Sequence, residues 1–236
     1  MPARMVHVWR ADLGLKAAYL RRLEENLSAD ERERASRFRF ARDRDRFVGA
    51  RGLLREILAL YLNATPERLS FGYGAHGKPF LAREEHSTLR FNVSHSFDTM
   101  LLAIAHKREV GVDVEGVASI GLAIDDLGDT VLSEPEKQTL ARFGSEDKRK
   151  TFLRFWTLKE AYIKADGRGV ALPLQRIDVS SPEGRVSVLK EATGEWRKCS
   201  RWELRTLASI PGYAAALAAE GRDWRLALWQ WSGEPK

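Results

Sequence analysis

The strongest constraint on the fold is a repeat at long range. LSADERERASRF, Leu27 to Phe38, returns 105 residues later as LSEPEKQTLARF, Leu132 to Phe143, with five of twelve positions identical. The same offset pairs Phe47 with Phe152 and Leu53 with Leu158. A short apolar strand candidate lies near the end of each half, TMLLAIAH and YAAALAAE. A repeat of whole structural units fixes the architecture before any local reading does. It predicts two similar α/β halves related by a pseudo-twofold axis, residues 1–107 and 108–236, with a cleft between them.

Each copy opens with S-x-x-E, at Ser28/Glu31 and Ser133/Glu136. Serine accepts from an orphan helix N–H while the glutamate reaches back, so each motif starts a helix. Glu136 is thereby read as a cap rather than a catalyst. DRFVGARGLLREILALYLN is apolar at Phe47, Leu54, Leu58 and Tyr61/Leu62, which is helical spacing, with Arg51 and Arg55 on another face. Asn63 and Pro66 end it. FGYGAHGKPFL, with its glycines and proline, reads as a loop. LRFNVSH and EVGVDVEGV alternate as strands do. In the second, Val112 and Val114 point one way and Asp113 and Glu115 the other. TFLRFWTLKEAYIKADG is a helix with Phe152, Phe155, Trp156 and Ile163 inward and Gly167 just past its end. RIDVSS, RVSVLK, RWELRTLAS, YAAALAAE and WRLALWQW follow as strands, so the class is α+β.

Composition limits the function classes. Of 236 residues, 44% are hydrophobic and 31% charged, so a sizeable core is available to an ordinary globular protein. No apolar run reaches the ~18 residues of a membrane span. MPARMVHVWRADLG lacks a signal-peptide core, and Cys199 is the only cysteine. These features point to the cytoplasm. The net charge of +6 suits a phosphorylated ligand, an acidic protein or nucleic acid.

The chemistry-bearing residues cluster in two motifs. Asp113 and Glu115 share a strand face, and Glu160 and Lys164 share a helix face. Lys159 and Lys164 stand among aromatics, where an unpartnered charge is costly. A hard cation on the acids and a phosphate on the lysines would resolve this, and Mg²⁺ favours a few carboxylates with phosphate oxygens and water. GAHGKPF adds backbone donors around Gly77 and the ammonium of Lys78. It is not a Walker A loop. Ser94, His95 and Asp98 lie too close in sequence for a hydrolase triad, and G-x-S-x-G is absent.

GKPFL, FNVSHS, GVDVE and FWTLKEAYIKADGRG, in this order, resemble the Sfp-type 4′-phosphopantetheinyl transferases. The resemblance covers roughly Leu27 to Pro173. It implies two similar halves with coenzyme A (CoA) bound between them, and a monomer, since one chain supplies both. It implies transfer of the 4′-phosphopantetheine arm of CoA to a serine of an apo acyl or peptidyl carrier protein. The products are holo carrier and adenosine 3′,5′-bisphosphate. By the same resemblance Asp113, Glu115 and Glu160 hold Mg²⁺. Lys159 and Lys164 contact phosphate, with Lys164 also catalytic. Arg42, Arg46 and Lys78 hold the 3′-phosphate and nearby parts of CoA, and Asn92, Ser94 and His95 form the N-x-S-H segment. Glu160, or a metal-bound water it orients, takes the serine proton. The basic balance fits the acidic helices of a carrier.

Two other readings compete. A Mg²⁺-dependent nuclease also gathers acids and lysine around phosphate, but commonly as E-x-K on strands, whereas E-x-x-x-K here is on a helix. A basic nucleic-acid-binding protein would use the arginine cluster, but would leave Asp113 and Glu160 unexplained. Neither nucleic acid nor membrane is expected as a partner.

Overall fold

A computed structural model describes residues 2, 4–82, 88–118, 124–167, 173–181, 185–189, 195–207 and 210–233. Residues 168–169, the end of the long helix motif, and Lys190 of RVSVLK fall outside them. The described chain runs β1 (Met5–Asp12), α1 (Ala17–Glu25), α2 (Ala29–Ser36), α3 (Ala41–Leu62), β2 (Phe71–Tyr73), β3 (Pro79–Leu81), β4 (Leu89–Ser96), β5 (Thr99–His106) and β6 (Val110–Gly116). It continues through α4 (Ile124–Val131), α5 (Glu134–Leu140), α6 (Ser145–Asp166), β7 (Ile177–Asp178), β8 (Val186–Leu189), β9 (Trp196–Cys199), β10 (Trp202–Thr206), β11 (Tyr213–Glu220) and β12 (Arg225–Gln230). The class is α+β, as the sequence indicates. No described helix is long and apolar enough to cross a membrane.

Two sheets form the centre, in strand orders β12-β1-β5-β4 and β10-β11-β6. Small residues allow them to pack face to face. Val6, Val8, Leu101, Ala103 and Ala105 from one sheet meet Val110, Val112, Val114, Ala215, Leu217 and Ala219 from the other. Each sheet then carries one long helix on its outer face. Leu54, Ile57 and Leu58 of α3 pack with Met100, Leu102 and Ile104 of β5. Phe152, Phe155 and Ala161 of α6 pack with Ala216 and Ala218 of β11. The alternation of β6 is as expected: Val112 and Val114 enter the central layer, while Asp113 and Glu115 face the helix side.

The duplication appears in three dimensions, but its register differs from the one the sequence suggests. Both capping boxes are formed, 105 residues apart. Both long helices have 22 residues and end at a left-handed cap, Asn63 at φ 47° and Gly167 at φ 74°. These matched landmarks are 104 residues apart, so one residue is lost between cap and helix. Leu54, not Leu53, is thus the counterpart of Leu158. The strands agree, because β1 on β5 superposes in register with β6 on β11 when Val6 matches Val110.

Three other differences stand out. FGYGAHGKPFL is a small hairpin rather than a loop, with Phe71 paired to Leu81 and a turn whose Gly77 adopts φ 77°. Strand β1 lies in a segment to which the sequence assigned no structure. Strand β12 pairs in parallel with β1, so the last strand joins the sheet of residues 1–107 rather than that of 108–236.

Candidate active site

The site lies where β4 of one sheet runs beside β6 of the other, with α6 alongside. Even-numbered residues of β4 reach across. Arg90 Nε donates to Glu109 at 2.7 Å, and Val112 N donates to Asn92 Oδ1 at 2.9 Å. Ser94 Oγ donates to Asp113 Oδ1 at 2.9 Å, and Ser96 Oγ to Glu115 Oε2 at 3.1 Å. A period of two puts all four on one strand face, so the seam is joined by side-chain rungs.

Helix α6 brings its polar face to the middle rung. Lys164 Nζ lies 2.6 Å from Asp113 Oδ1 and 3.0 Å from Ser94 Oγ. Helix and strand come this close because residue 111 is glycine. A Cβ there would lie 2.1 Å from Ala161 O and 2.3 Å from Ala165 N. Ser94 and Lys164 both use Oδ1 of Asp113, while Oδ2 is buried with no hydrogen-bond partner. A buried, orphaned carboxylate oxygen calls for a ligand.

Two further acids respond to Asp113. Burial, then the Asp113 charge, pushes the Glu160 carboxyl above the ordinary range. Burial, then Asp113, likewise raises Glu115, against the Ser96 hydrogen bond and Lys164. Three oxygen donors with mutual repulsion and one orphaned oxygen fit a hard divalent cation such as Mg²⁺. Among the described residues, however, no three side chains converge as a preformed metal cluster.

A basic group lines the neighbouring side. Arg46 Nε donates to Asp98 Oδ1 at 2.8 Å. Its outer nitrogen lies as close to that oxygen but is buried without a sound hydrogen bond. Arg42 is exposed and 3.7 Å from Asp98. Burial, then the charges of Lys164 and Arg46, lowers the pKa of His95, although the residue keeps an exposed surface. Arg42, Arg46 and Lys164 carry the positive charge on this side, each facing a carboxylate of Asp98 or Asp113, and the exposed His95 adds an imidazole.

Three expected CoA contacts are engaged elsewhere. Lys159 is fully buried: Nζ pairs with Glu136 at 2.6 Å and donates to the carbonyls of Val131 and Leu174. It projects away from the Asp113 side of α6, which corrects the expectation that Lys159 contacts phosphate alongside Lys164. Glu136 is a cap, as read, and also this lysine's counter-ion. Burial still pushes Glu136 up and Lys159 down. Asn92 is buried and ties β4 to the Val112 amide. Lys78 Nζ is held by Glu109 at 3.0 Å and by the carbonyls of Val110 and Ala165, both at 3.2 Å. Gly77 serves the hairpin, with open space where a Cβ would be. Beside Lys78 lies a cavity of about 470 Å³, lined by Phe80, Leu89, Arg90, Phe91 and Gly167 among others.

Asp98 and Glu109 have positions of consequence that the motif reading did not assign. Ser96, within the FNVSHS motif, continues the two-residue polar period of Asn92 and Ser94 and bonds to Glu115. Asp98 and Glu109 act on partners far along the chain, which no local pattern reports.

Comparison with known proteins bears on this arrangement. The family model described as the 4′-phosphopantetheinyl transferase superfamily matches residues 109–218. A second, the 4′-phosphopantetheinyl transferase N-terminal model, matches residues 16–107. The chain is 35% identical over 227 residues to the 4′-phosphopantetheinyl transferase HetI of Nostoc sp., covering 96% of this chain and 92% of that one. A putative 4′-phosphopantetheinyl transferase of Synechocystis sp. is 31% identical over 194 residues, 81% of this chain and 78% of its own. Among solved structures, a holo-(acyl-carrier-protein) synthase from Bacillus anthracis in complex with CoA (3′,5′-ADP) is similar at 18% identity and a TM-score of 0.36, over 48% of this chain and 96% of that one.

Proposed function

The chain belongs to the 4′-phosphopantetheinyl transferase superfamily, and from that premise we propose a site-by-site account of how it moves the 4′-phosphopantetheine arm of CoA onto a carrier-protein serine. The observation that carries the account is the cluster of Lys164, Ser94 and Asp113, with Asp113 Oδ2 unpartnered beside two acids of raised pKa. Asp113, Glu160 and Glu115 would hold Mg²⁺, which supplies charge neutralisation across the two phosphates of CoA. Arg42, Arg46 and His95 bind the 3′-phosphate end.

The serine Oγ attacks the phosphorus that bears the pantetheine arm. The new O–P bond forms as the bridging bond to the nucleotide phosphate breaks. Adenosine 3′,5′-bisphosphate leaves with that electron pair. Glu160 accepts the serine proton. Lys164, anchored by Asp113 and Ser94, places a compact positive charge where negative charge builds. Such displacement needs alignment and neutralisation more than covalent help.

The finer readings rest on the same chemistry. The net charge of +6 favours an acidic carrier. One chain brings both strands of the seam and the catalytic helix, so a monomer suffices. A cytoplasmic location follows from that of CoA-dependent carrier modification, and residues 1–107 and 108–224, with β12 returned to the first sheet, divide the chain best. Incubation with CoA, Mg²⁺ and a panel of apo-carriers, read by intact mass, tests the account. Addition of one 4′-phosphopantetheine to a carrier serine is expected. No addition to any carrier, with stabilisation by oligonucleotide instead of CoA, would favour the nuclease or nucleic-acid reading.

A further inference from the structure

Lys78 sits on β2–β3's hairpin, part of the first half, yet its ammonium is wholly engaged with the second. It reaches Glu109 just before β6, the Val110 carbonyl at the start of β6 and the Ala165 carbonyl in the last turn of α6. Val110 adjoins Gly111 and Ala165 is one of the residues that Gly111 nearly touches, so both carbonyls belong to the close contact of β6 and α6. Ala165 O belongs to the last turn of the helix, where carbonyls lack intrahelical partners and a cation is favoured. Lys164, the neighbour of Ala165, carries the charge that pairs with Asp113. Asp113 is three residues along β6 from Val110, about 10 Å at the rise of a strand.

From this geometry we infer that Lys78 is a positioning residue: a staple from the first half that fixes α6 on β6 and so sets the placement of Lys164 and Glu160 against Asp113. This deepens the proposed transferase reading and rests on it. An ammonium with three acceptors already satisfied has no donor left for a phosphate. Arg90 shares Glu109 with Lys78, binding the other carboxylate oxygen, so the staple's counter-ion is itself held in place. Loosening the last turn of α6 would move Lys164 by a fraction of its own contact distance. A misplacement of that order costs turnover, not ground-state binding.

The test is the transfer kinetics of Lys78→Met with CoA and with 3′-dephospho-CoA, alongside the wild type. Met keeps the stem and removes the charge. The wild type must transfer first; if it does not, the transferase reading fails and the staple is not at issue. Given an active wild type, kcat should fall about tenfold or more with both donors, while KM for CoA changes less than about threefold. Hydrogen exchange should quicken at the amides of residues 164–167. A rise in KM confined to CoA and absent with 3′-dephospho-CoA would overturn the staple in favour of a phosphate contact. Wild-type kcat would overturn it as well. If Lys78→Met does not fold, Glu109→Gln carries the test. A kcat lowered in the same ratio for both donors supports the staple, and an unchanged kcat contradicts it.

Discussion

The two halves of this chain run the same design to different ends, and the comparison separates what holds the fold from what does chemistry. At position 15 of each long helix a cation is buried against the glutamate of the preceding capping box. Arg55 meets Glu31 at 2.7 Å, and Lys159 meets Glu136 at 2.6 Å. Both cations also bind backbone carbonyls, Pro66 and Leu69 in one half and Val131 and Leu174 in the other. A feature built twice, with none of its bonds reaching Asp113, is architecture.

One position later the halves diverge. Glu56 and Glu160 are both at position 16 of their helices. Helix α1 covers Glu56, with Tyr19 OH donating to it at 2.7 Å. Gly52 allows that approach, because a Cβ there would lie 2.5 Å from Leu23 Cβ. Burial, then the bond to Glu56, pushes the Tyr19 hydroxyl up to about 12. In the second half Trp156 stands where Gly52 does, and Glu160 faces Asp113 instead. At position 20 Leu60 is exposed where Lys164 stands in the other half. On the strands, Trp9 matches Asp113. Trp9 stacks on Trp229 at 5.6 Å and donates to Tyr61, so the mirror site is filled with aromatic rings. The same scaffold is closed on one side and left polar on the other.

The largest effects should follow from breaking the polar side. Asp113→Asn and Lys164→Ala should each lower kcat about 10²–10³-fold, Asp113→Asn with a melting temperature near the wild type and Lys164→Ala with a lower one, since it leaves the buried Asp113 carboxylate without its cation. Their counterparts, Trp9→Phe and Leu60→Ala, should leave turnover per folded molecule unchanged. Equal losses of turnover on both sides would dissolve the contrast. Next, Lys159→Met should cost about 3–5 kcal/mol of stability, because it leaves the buried Glu136 without its counter-ion, and Arg55→Met should cost less, because Arg51 still pairs with Glu31 at 2.6 Å. If Lys159→Met stays stable but raises KM for CoA, its assignment to the core is wrong.

A smaller effect concerns pH, and here the shared ion pair differs in sign. Burial pushes Glu31 up, but the Arg55 hydrogen bond and the charge of Arg51 outweigh it, so its folded pKa lies below 4.5. Among the described residues Lys159 is the one cation paired with Glu136, since Phe155 stands in place of Arg51, and burial holds its folded pKa above 4.5 against Lys159 and the Val179 and Ser133 amides. A depressed carboxyl contributes stability that is present above the unfolded pKa and lost as pH falls through the folded one. A raised carboxyl does the reverse: stability falls as pH rises from the unfolded pKa to the folded one. Unfolding of Glu31→Gln and Glu136→Gln across acid pH checks this. The deficit of Glu31→Gln should shrink below pH 4.5, and that of Glu136→Gln should shrink above it. Parallel slopes would show that the pairs titrate alike.

Periodicity was enough to read the long helices, the caps and the alternation of β6, because each depends on neighbours three or four residues away, or two. The capping boxes announced the duplication for the same reason. The one-residue slip to an offset of 104 could not be read, since helix cores tolerate Leu53 or Leu54 as the apparent match. Burial of Arg55 was misread as a polar face because its partner, Glu31, lies 24 residues back. Lys159 was misplaced similarly: helical angles put it about 100° from Glu160, which is consistent with either the cleft or the core. What decided was Glu136, whose cap role was legible and whose second role was not. Lys78 shows the limit most plainly, since its three acceptors come from segments more than thirty residues away, at Glu109, Val110 and Ala165.

The most direct measurement compares Glu160→Gln with Glu56→Gln, the same change at the same helix position in the two halves. Transfer of 4′-phosphopantetheine to an apo-carrier and thermal unfolding are read on both. Glu160→Gln should lose at least about 10²-fold in kcat and keep its melting temperature, since it removes the base and a cation ligand without disturbing packing. Glu56→Gln should keep its kcat and lose about 1.5–3 kcal/mol of stability with its charged hydrogen bond to Tyr19. Near-normal turnover in a folded Glu160→Gln, or a collapse of turnover in a folded Glu56→Gln, would contradict the division of labour between the halves.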